Sequence, residues 1–414
     1  MKLLILGGSN IQKQLISLAK QKDITTIVSD YYPKVIGKEI SDYQELVSTF
    51  DVMGNIAVGE KYQIDGIATT GTDQPVYTVA RVCESLGLPQ LISVDTALAV
   101  TNKKIMKQRF KEANIACNNY VLLKKGFKNE ELKNIKFPVV LKPLDSQGQR
   151  GIYKLNNIEE IRQHLDDTLS YSRTDEALVE EFYDSQEITV SGWVKNGQTK
   201  IFLVTDRKTF EADKHIGICY AHNFPSIFLE KYHDEISDIT NQIVKAFKIY
   251  NGPIYFQMLV GREGIKVNEI ACRIGGAYED YTIPLLTNIN VLEMLINASL
   301  NQVIDFTIYD KYQLIANNNY ASVQLFFCRP GTVKYISPKA DILKLSGVKV
   351  IDYNIKINDV LTPITSASNR AGNVVVIGSS LKAIQANLNN LFANLEVLDE
   401  KGNNLVINYL EYGG

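Results

Sequence analysis

The sequence predicts an α/β protein in which a parallel-sheet domain leads into a mixed α+β lid and a larger sheet, and a further α/β subdomain closes the chain. Three observations carry this. Strand and helix patterns alternate through the first 90 residues, an order that implies a parallel sheet with helices on its faces. A short apolar strand, Pro138–Lys142, then runs into a polar loop with glycines at 148 and 151. Finally, two apolar runs, Pro253–Val260 and Gly264–Arg273, form a hairpin pattern, and α/β alternation resumes from about Ala321.

The elements follow in order. Lys2–Leu6 reads as a core strand, and Ile11, Leu15 and Leu18 recur at helical spacing behind it. Thr25–Ser29 and Gly66–Thr70 are further strands, the first ending at Asp30 and the second at Gly71-Thr72-Asp73 before a helix through Val82. In sheets of this kind ligands sit beyond the carboxyl ends of the strands, so Gly7-Gly8-Ser9, Asp30 and Thr70–Asp73 share one edge. Asp95–Phe110 reads as one helix. After the strand at 138–143 and the loop Leu144–Gly151, Ile152–Lys154 returns as a strand. A helix opens at Asn157 with Glu160 three residues on, as in a capping box. Ala177–Glu181 and alternating strands from Glu187 to Thr205 follow. In the last segment Asn373–Ile377 is a strand, and Leu381, Ile384, Leu388 and Leu391 line one helix face.

Composition excludes several function classes. The 414 residues are 45% hydrophobic and 22% charged with a net charge of −2. No strong field calls for nucleic acid or an anionic membrane. No apolar run approaches the roughly 20 residues that span a bilayer. The N-terminal apolar stretch runs straight into a glycine turn and a helix, which reads as a first core strand and a cytoplasmic protein. The five cysteines include no CxxC pair and the four histidines no HExxH spacing, so a zinc site has no support.

The chemistry-bearing residues cluster in two places. Lys142 ends a buried strand, where an isolated ammonium is costly and wants an anion. The loop after it could wrap a phosphate with its backbone N–H groups, although it lacks the Walker spacing; an ordinary hairpin turn is the competing reading. Gln257 and Glu269 lie on the two strands of the late hairpin and offer the oxygen ligands Mg²⁺ wants. A plain two-residue turn would pair Gln257 with Asn268, so a Gln257–Glu269 pair requires a bulge. Arg273, four residues beyond Glu269 on the same strand face, is suited to clamp phosphate oxygens, or to a structural salt bridge. Gly275-Gly276 allow close approach of backbone to substrate. The Gly7-Gly8-Ser9 turn lacks GxGxxG spacing and reads as a tight turn.

Taken together and in this order, these segments resemble the ATP-grasp superfamily, in particular its carbamoyl-phosphate-synthase-like and L-amino-acid-ligase-like carboxylate–amine ligases. The resemblance implies an ATP-grasp fold with domains over 1–110, 111–183 (lid), 184–315 (metal site) and 316–414. It implies ATP and Mg²⁺, or Mn²⁺, as cofactors. By this likeness Lys103 and Lys142 are the nucleotide lysines, and Gly148 and Gly151 belong to the phosphate-covering loop. The backbone of Glu181 and Tyr183 would meet the adenine edge, Glu180 its amino group, and Glu187 the ribose. Gln257 and Glu269 would hold metal, and Arg273 the phosphates. His222, in His222-Asn223-Phe224-Pro225, would lie near the activated carboxylate, and Asp73, Gly275 and Gly276 near substrate. One departure is Ala271, where the family pattern Glu-x-Asn-x-Arg has its Asn; Asn268, three residues away, is expected on the opposite strand face. The implied activity is amide formation through an acyl phosphate, joining an amino acid to an amine of another amino acid or an amino-sugar nucleotide. A purine-pathway-type carboxylase or transformylase and a non-catalytic ATP-binding protein are the alternatives. Small-molecule partners and a homodimer complete the expectation.

Overall fold

A computed structural model of the chain describes residues 1–146, 148–212 and 215–408. The N-terminal alternation folds as a parallel sheet. β1 (Lys2–Leu6), β2 (Thr25–Ser29), β3 (Tyr43–Glu45) and β4 (Gly66–Ala68) stand in the order β3-β2-β1-β4. β1 is buried from Leu3 to Leu6, as a strand covered on both faces must be. β3 is short and polar, and its sequence carries no periodic signal. The Gly7-Gly8 turn is closed by the protein itself: Gly7 has φ +96°, and the Gly8 N–H donates to Asp30 Oδ2 at 2.9 Å.

The predicted helix 95–110 is two helices, Val94–Thr101 and Lys103–Glu112. Asn102 breaks it. Its backbone is extended, and its Oδ1 accepts from the N–H groups of Lys104 and Ile105 at 3.0 and 3.3 Å, an N-cap that restarts the helix. Lys103 therefore opens the second helix, and its N–H donates to Leu144 O at 3.0 Å.

The remaining strands form one large sheet. β5 (Tyr120–Lys124), β6 (Val139–Pro143), β7 (Tyr153–Leu155) and β8 (Glu176–Glu181) make a small antiparallel unit covered by the helix Ile158–Ser170. The Asn157 side chain caps that helix through the Glu160 N–H at 2.9 Å. β9 (Ser185–Lys195), β10 (Gln198–Ala212), β11 (His215–Phe224), β12 (Gly252–Gly261) and β13 (Gly264–Ala271) continue it in the order β13-β12-β9-β10-β11-β7-β6-β8-β5. β14 (Tyr320–Phe326) branches from β11 into the C-terminal subdomain. There, past the two-residue strands β15 (Gly331–Thr332) and β16 (Tyr335–Ile336), β17 (Val348–Tyr353) pairs with the strand Gly372–Gly378, which the helix Leu381–Asn394 covers.

The small unit and the C-terminal subdomain each have a separate core, around Leu141 and Val179 and around Val374 and Leu391. Leu3, Ile5 and Val28 of the first sheet, by contrast, share one continuous core with Val190 and Phe256 of the large sheet. The N-terminal domain is thus fused to the large unit, while the small unit is attached through strand pairing.

Candidate active site

A cavity of about 350 Å³ lies between the small unit and the large sheet. Lys142 and Glu180 form one wall, Phe182 and Tyr183 one end, Glu187 and Arg207 a second wall, and Gln257, Asn268 and Glu269 the floor. Its size suits a nucleotide.

The floor depends on a bulge. β12 and β13 meet in a two-residue turn that pairs Gly261 with Gly264 and Met258 with Val267, yet Gln257 pairs with Glu269. Asn268 is the extra residue. The bulge resets the alternation of faces, so Asn268 and Glu269 both border the cavity. This corrects the expected orientation of Asn268: its Oδ1 accepts from Lys142 Nζ at 3.1 Å.

Charges are balanced around the floor. Lys103 Nζ lies 2.9 Å from Glu269 Oε1. Behind it the Glu180 carboxylate holds two ammonium groups, Lys107 at 2.7 Å and Lys142 at 2.5 Å. Burial alone would raise the Glu180 carboxyl, but Lys107 and Lys142 outweigh it and hold it at about 2. Burial is likewise outweighed at Glu269, where Lys103 and then Lys142 keep the carboxyl below its ordinary value. Glu269 is therefore an anion available to a cation. With the Gln257 amide across the strand pair, it gives the one-carboxylate set that Mg²⁺ accepts when phosphate oxygens and water complete its shell. Among the described residues no group of three or more His, Cys, Asp or Glu side chains could hold a metal, so a site without phosphate is not built in.

A small second cavity adjoins the floor through Gln257 and Glu269, and Asp73, Lys103, Tyr255 and Arg273 line it. Arg273 turns away from the large cavity. Its Nη2 lies 2.6 Å from Asp73 Oδ1, and its guanidinium sits 4.5 Å from the Tyr255 ring centre. The Asp73 loop is seated by close backbone approach: the Gly71 N–H donates to Ile274 O at 3.0 Å, and a Cβ on Gly276 would stand 2.4 Å from Gly71 O. Gly275 and Gly276 thus serve packing; the Gly275 N–H is bound by Glu279 Oε2 at 2.7 Å.

Other anticipated residues fall elsewhere. Glu181 does not face the cavity: its N–H donates to Asn119 O at 2.9 Å and its carboxylate accepts from the Lys136 N–H at 3.0 Å. Tyr183 borders the cavity, while its hydroxyl ties down the β12–β13 turn by donating to Gly264 O and accepting from the Glu263 N–H, both at 2.9 Å. His222 lies inside the sheet, its Nδ1 3.3 Å from the hydroxyls of Thr189 and Thr205. Burial, then Arg207 and Arg370, push its pKa well below the ordinary imidazole value, so it is neutral at pH 7. Gly148 and Gly151 take positive φ, +74° and +67°, and Gly148 O accepts from the Ala367 N–H of the C-terminal subdomain at 3.1 Å. Sequence reasoning missed Lys107 and Arg207. Lys107 stands one helical turn after Lys103, the available signal. Arg207 pairs with Glu187 across two neighbouring strands and left no signal in the sequence.

The fold and this site together define a class, a nucleotide-sized cleft between two antiparallel units with Glu269 on its floor and Lys142 in its wall. Comparison with known proteins specifies it. Residues 135–279 match the ATP-grasp domain family, and residues 323–398 match L-amino acid ligase C-terminal domain 2. The chain thus carries an ATP-grasp domain followed by an L-amino acid ligase C-terminal domain. It is 22% identical over 324 residues to dapdiamide A synthase of Enterobacter agglomerans, covering 74% of this chain and 75% of that one. It is 23% identical over 337 residues to a phosphoribosylamine–glycine ligase of Methanocaldococcus jannaschii, covering 73% and 74%. The L-amino acid ligase structure from Bacillus licheniformis superposes with a TM-score of 0.80 at 15% identity, over 96% of this chain and 98% of that one, a likeness of fold.

Proposed function

We propose that this ADP-forming carbon–nitrogen ligase activates a carboxylate as an acyl phosphate and joins it to an amine, at least one partner being an amino acid. The observation that carries the reading is the shared floor. Gln257 and Glu269 border both the nucleotide-sized cavity and the small cavity that holds Asp73 and Arg273. A phosphoryl group at the end of the first is thereby delivered to a carboxylate in the second.

The residues divide the work. Lys142 and Lys103 bring positive charge to the phosphates, and Glu187 takes the ribose hydroxyls. Gln257 and Glu269 would hold Mg²⁺, which when bound neutralises phosphate charge and aligns the transfer. Asn268, placed by the bulge, orients Lys142. Arg273 is parked on Asp73 and needs only a side-chain rotation to reach an anion beside Tyr255. The loop 144–151 closes over the phosphates and excludes the water that would hydrolyse an acyl phosphate.

A phosphate-release screen tests this. Purified protein with Mg·ATP is offered amino acids pairwise, amino acids with amino-sugar nucleotides, and bicarbonate or formate. Phosphate is expected only when acid and amine are both present. Release with bicarbonate or formate would point instead to the carboxylase or transformylase reading. Light scattering on the same sample checks the homodimer expected from the sequence.

A further inference from the structure

The loop from Ser366 to Arg370 touches the lid, since the Ala367 N–H donates to Gly148 O at 3.1 Å. The next charged group on that loop, Arg370, has no carboxylate partner among the described residues. Its Nε is shut off from solvent and makes no hydrogen bond. The groups that favour its charge are neutral ones, the Tyr278 hydroxyl and the Cys219 thiol, whereas Arg207 opposes it as a second guanidinium. Burial outweighs those contacts and lowers the Arg370 pKa from its ordinary value. A buried donor of a charged group left unmade is costly, and a guanidinium with no carboxylate ion-pair partner among the described residues is suited to an anion. The neighbouring arginine is not equivalent: Arg207 already pairs with Glu187 and donates to Gly217 O. Arg370 is the cation with capacity to spare.

Its position relates it to substrate rather than to nucleotide. Tyr278, which contacts Arg370, stands five residues after Arg273 and two after Gly276, and lies within the field of Asp280 and Asp352 as well. The phosphate end of the large cavity is already supplied by Lys103 and Lys142.

We propose that Arg370 binds a non-reacting oxyanion of the amine-bearing substrate, the carboxylate of an amino acid or the phosphate monoester of a phosphorylated sugar amine. The C-terminal subdomain then contributes a recognition residue, and the lid contact at Ala367 couples that recognition to closure over ATP. The inference rests on the ligase reading for the substrate's role, but anion binding can be tested without turnover.

The test is calorimetric titration of full-length protein held with Mg·ADP, using L-alanine, L-alaninamide and ribose 5-phosphate as probes, in the native protein and in Arg370→Met and Arg370→Lys. Native protein should bind either L-alanine over its amide or ribose 5-phosphate, by tenfold or more; the first outcome assigns a carboxylate and the second a phosphate. Arg370→Met should lose that preference while Mg·ADP affinity stays within twofold, and Arg370→Lys should keep part of it. Equal loss for acid and amide, an unchanged preference in Arg370→Met, or no preference in the native protein would overturn the proposal. A weakened Mg·ADP affinity in Arg370→Met would overturn it too, and would place the arginine in lid closure alone. Turnover failing in the phosphate-release screen while the anion preference persists would sink the ligase reading and leave this site standing.

Discussion

Glu180 carries two ammonium groups on one carboxylate, and no other residue in the site is so dependent on its neighbours. Replacing it with Gln leaves Lys107 buried without its ion-pair partner and leaves Lys142 with only the fields of Glu269 and Glu187. Breaking such a pair costs about 3–5 kcal/mol, so Glu180→Gln should lower the urea midpoint strongly. The same carboxylate sets an acid limit. Its folded pKa of about 2 lies below the ordinary 4.5, so its stabilisation is complete above about pH 4.5 and drains away as pH falls toward 2. Chemical melts from pH 7 to 3 should show the loss, and the Gln variant should show less of it. Glu269 is a separate matter, since the role we propose for it is to hold the metal. Glu269→Gln should keep the fold, lose Mn²⁺ binding as read by electron paramagnetic resonance in the presence of ADP, and cut phosphate release by about a hundredfold or more. Near-native turnover in that variant would refute the metal assignment.

Two elements turn sequence into site. The first is the bulge in β13, which places Asn268 and Glu269 on one side of a strand that should alternate. Deleting Asn268 restores the regular register with Glu269 still opposite Gln257 and removes the acceptor that orients Lys142, so the variant should fold, keep the stimulation of turnover by Mg²⁺ and show a raised KM for ATP. The second is the Asn102 cap, which aims Lys103 at Glu269. Asn102→Ala should cost about 1 kcal/mol and raise the KM for ATP more than it lowers kcat. The helix Glu279–Thr287 carries a third expectation. Burial raises its Asp280 carboxyl to about 7, and the Oδ2 atom has no hydrogen-bond partner. A raised carboxyl pKa favours the fold most below the unfolded value of 3.8, and that advantage is lost as pH rises through 7. Asp280→Asn should therefore raise Tm more at pH 8 than at pH 5.

At the scale of the molecule, the N-terminal domain and the large unit share a core, and their seam runs through glycine. Gly276→Ala would drive a Cβ into Gly71 O, which is backbone and cannot swing away. The seam must part, and with it the Asp73–Arg273 pair. Turnover should fall with little change in nucleotide affinity, because the large cavity lies on the other side of the floor. An unchanged kcat in Gly276→Ala would mean that the Asp73 loop is not part of the acceptor site. The small unit, joined by strand pairing and with its own core, is the part we propose moves as a lid.

Much of this was legible in the order of residues. Periodicity located Lys2–Leu6 and Thr25–Ser29 to the residue, because parallel strands covered on both faces write continuous apolar runs. The hairpin arithmetic also showed that Gln257 and Glu269 could face each other only across a bulge. What sequence by itself determined, then, was the class of fold and the kinds of residue at the site, since both follow from local spacing. Only the tertiary structure decided which of them meet. It seated Lys107 under Glu180, put Arg207 on Glu187, withdrew His222 into the sheet, turned Arg273 onto Asp73 and left Arg370 without an ion-paired acid among the described residues. Those outcomes depend on charges brought together from distant segments, and the free energy of a buried charge is set by neighbours that no local pattern records.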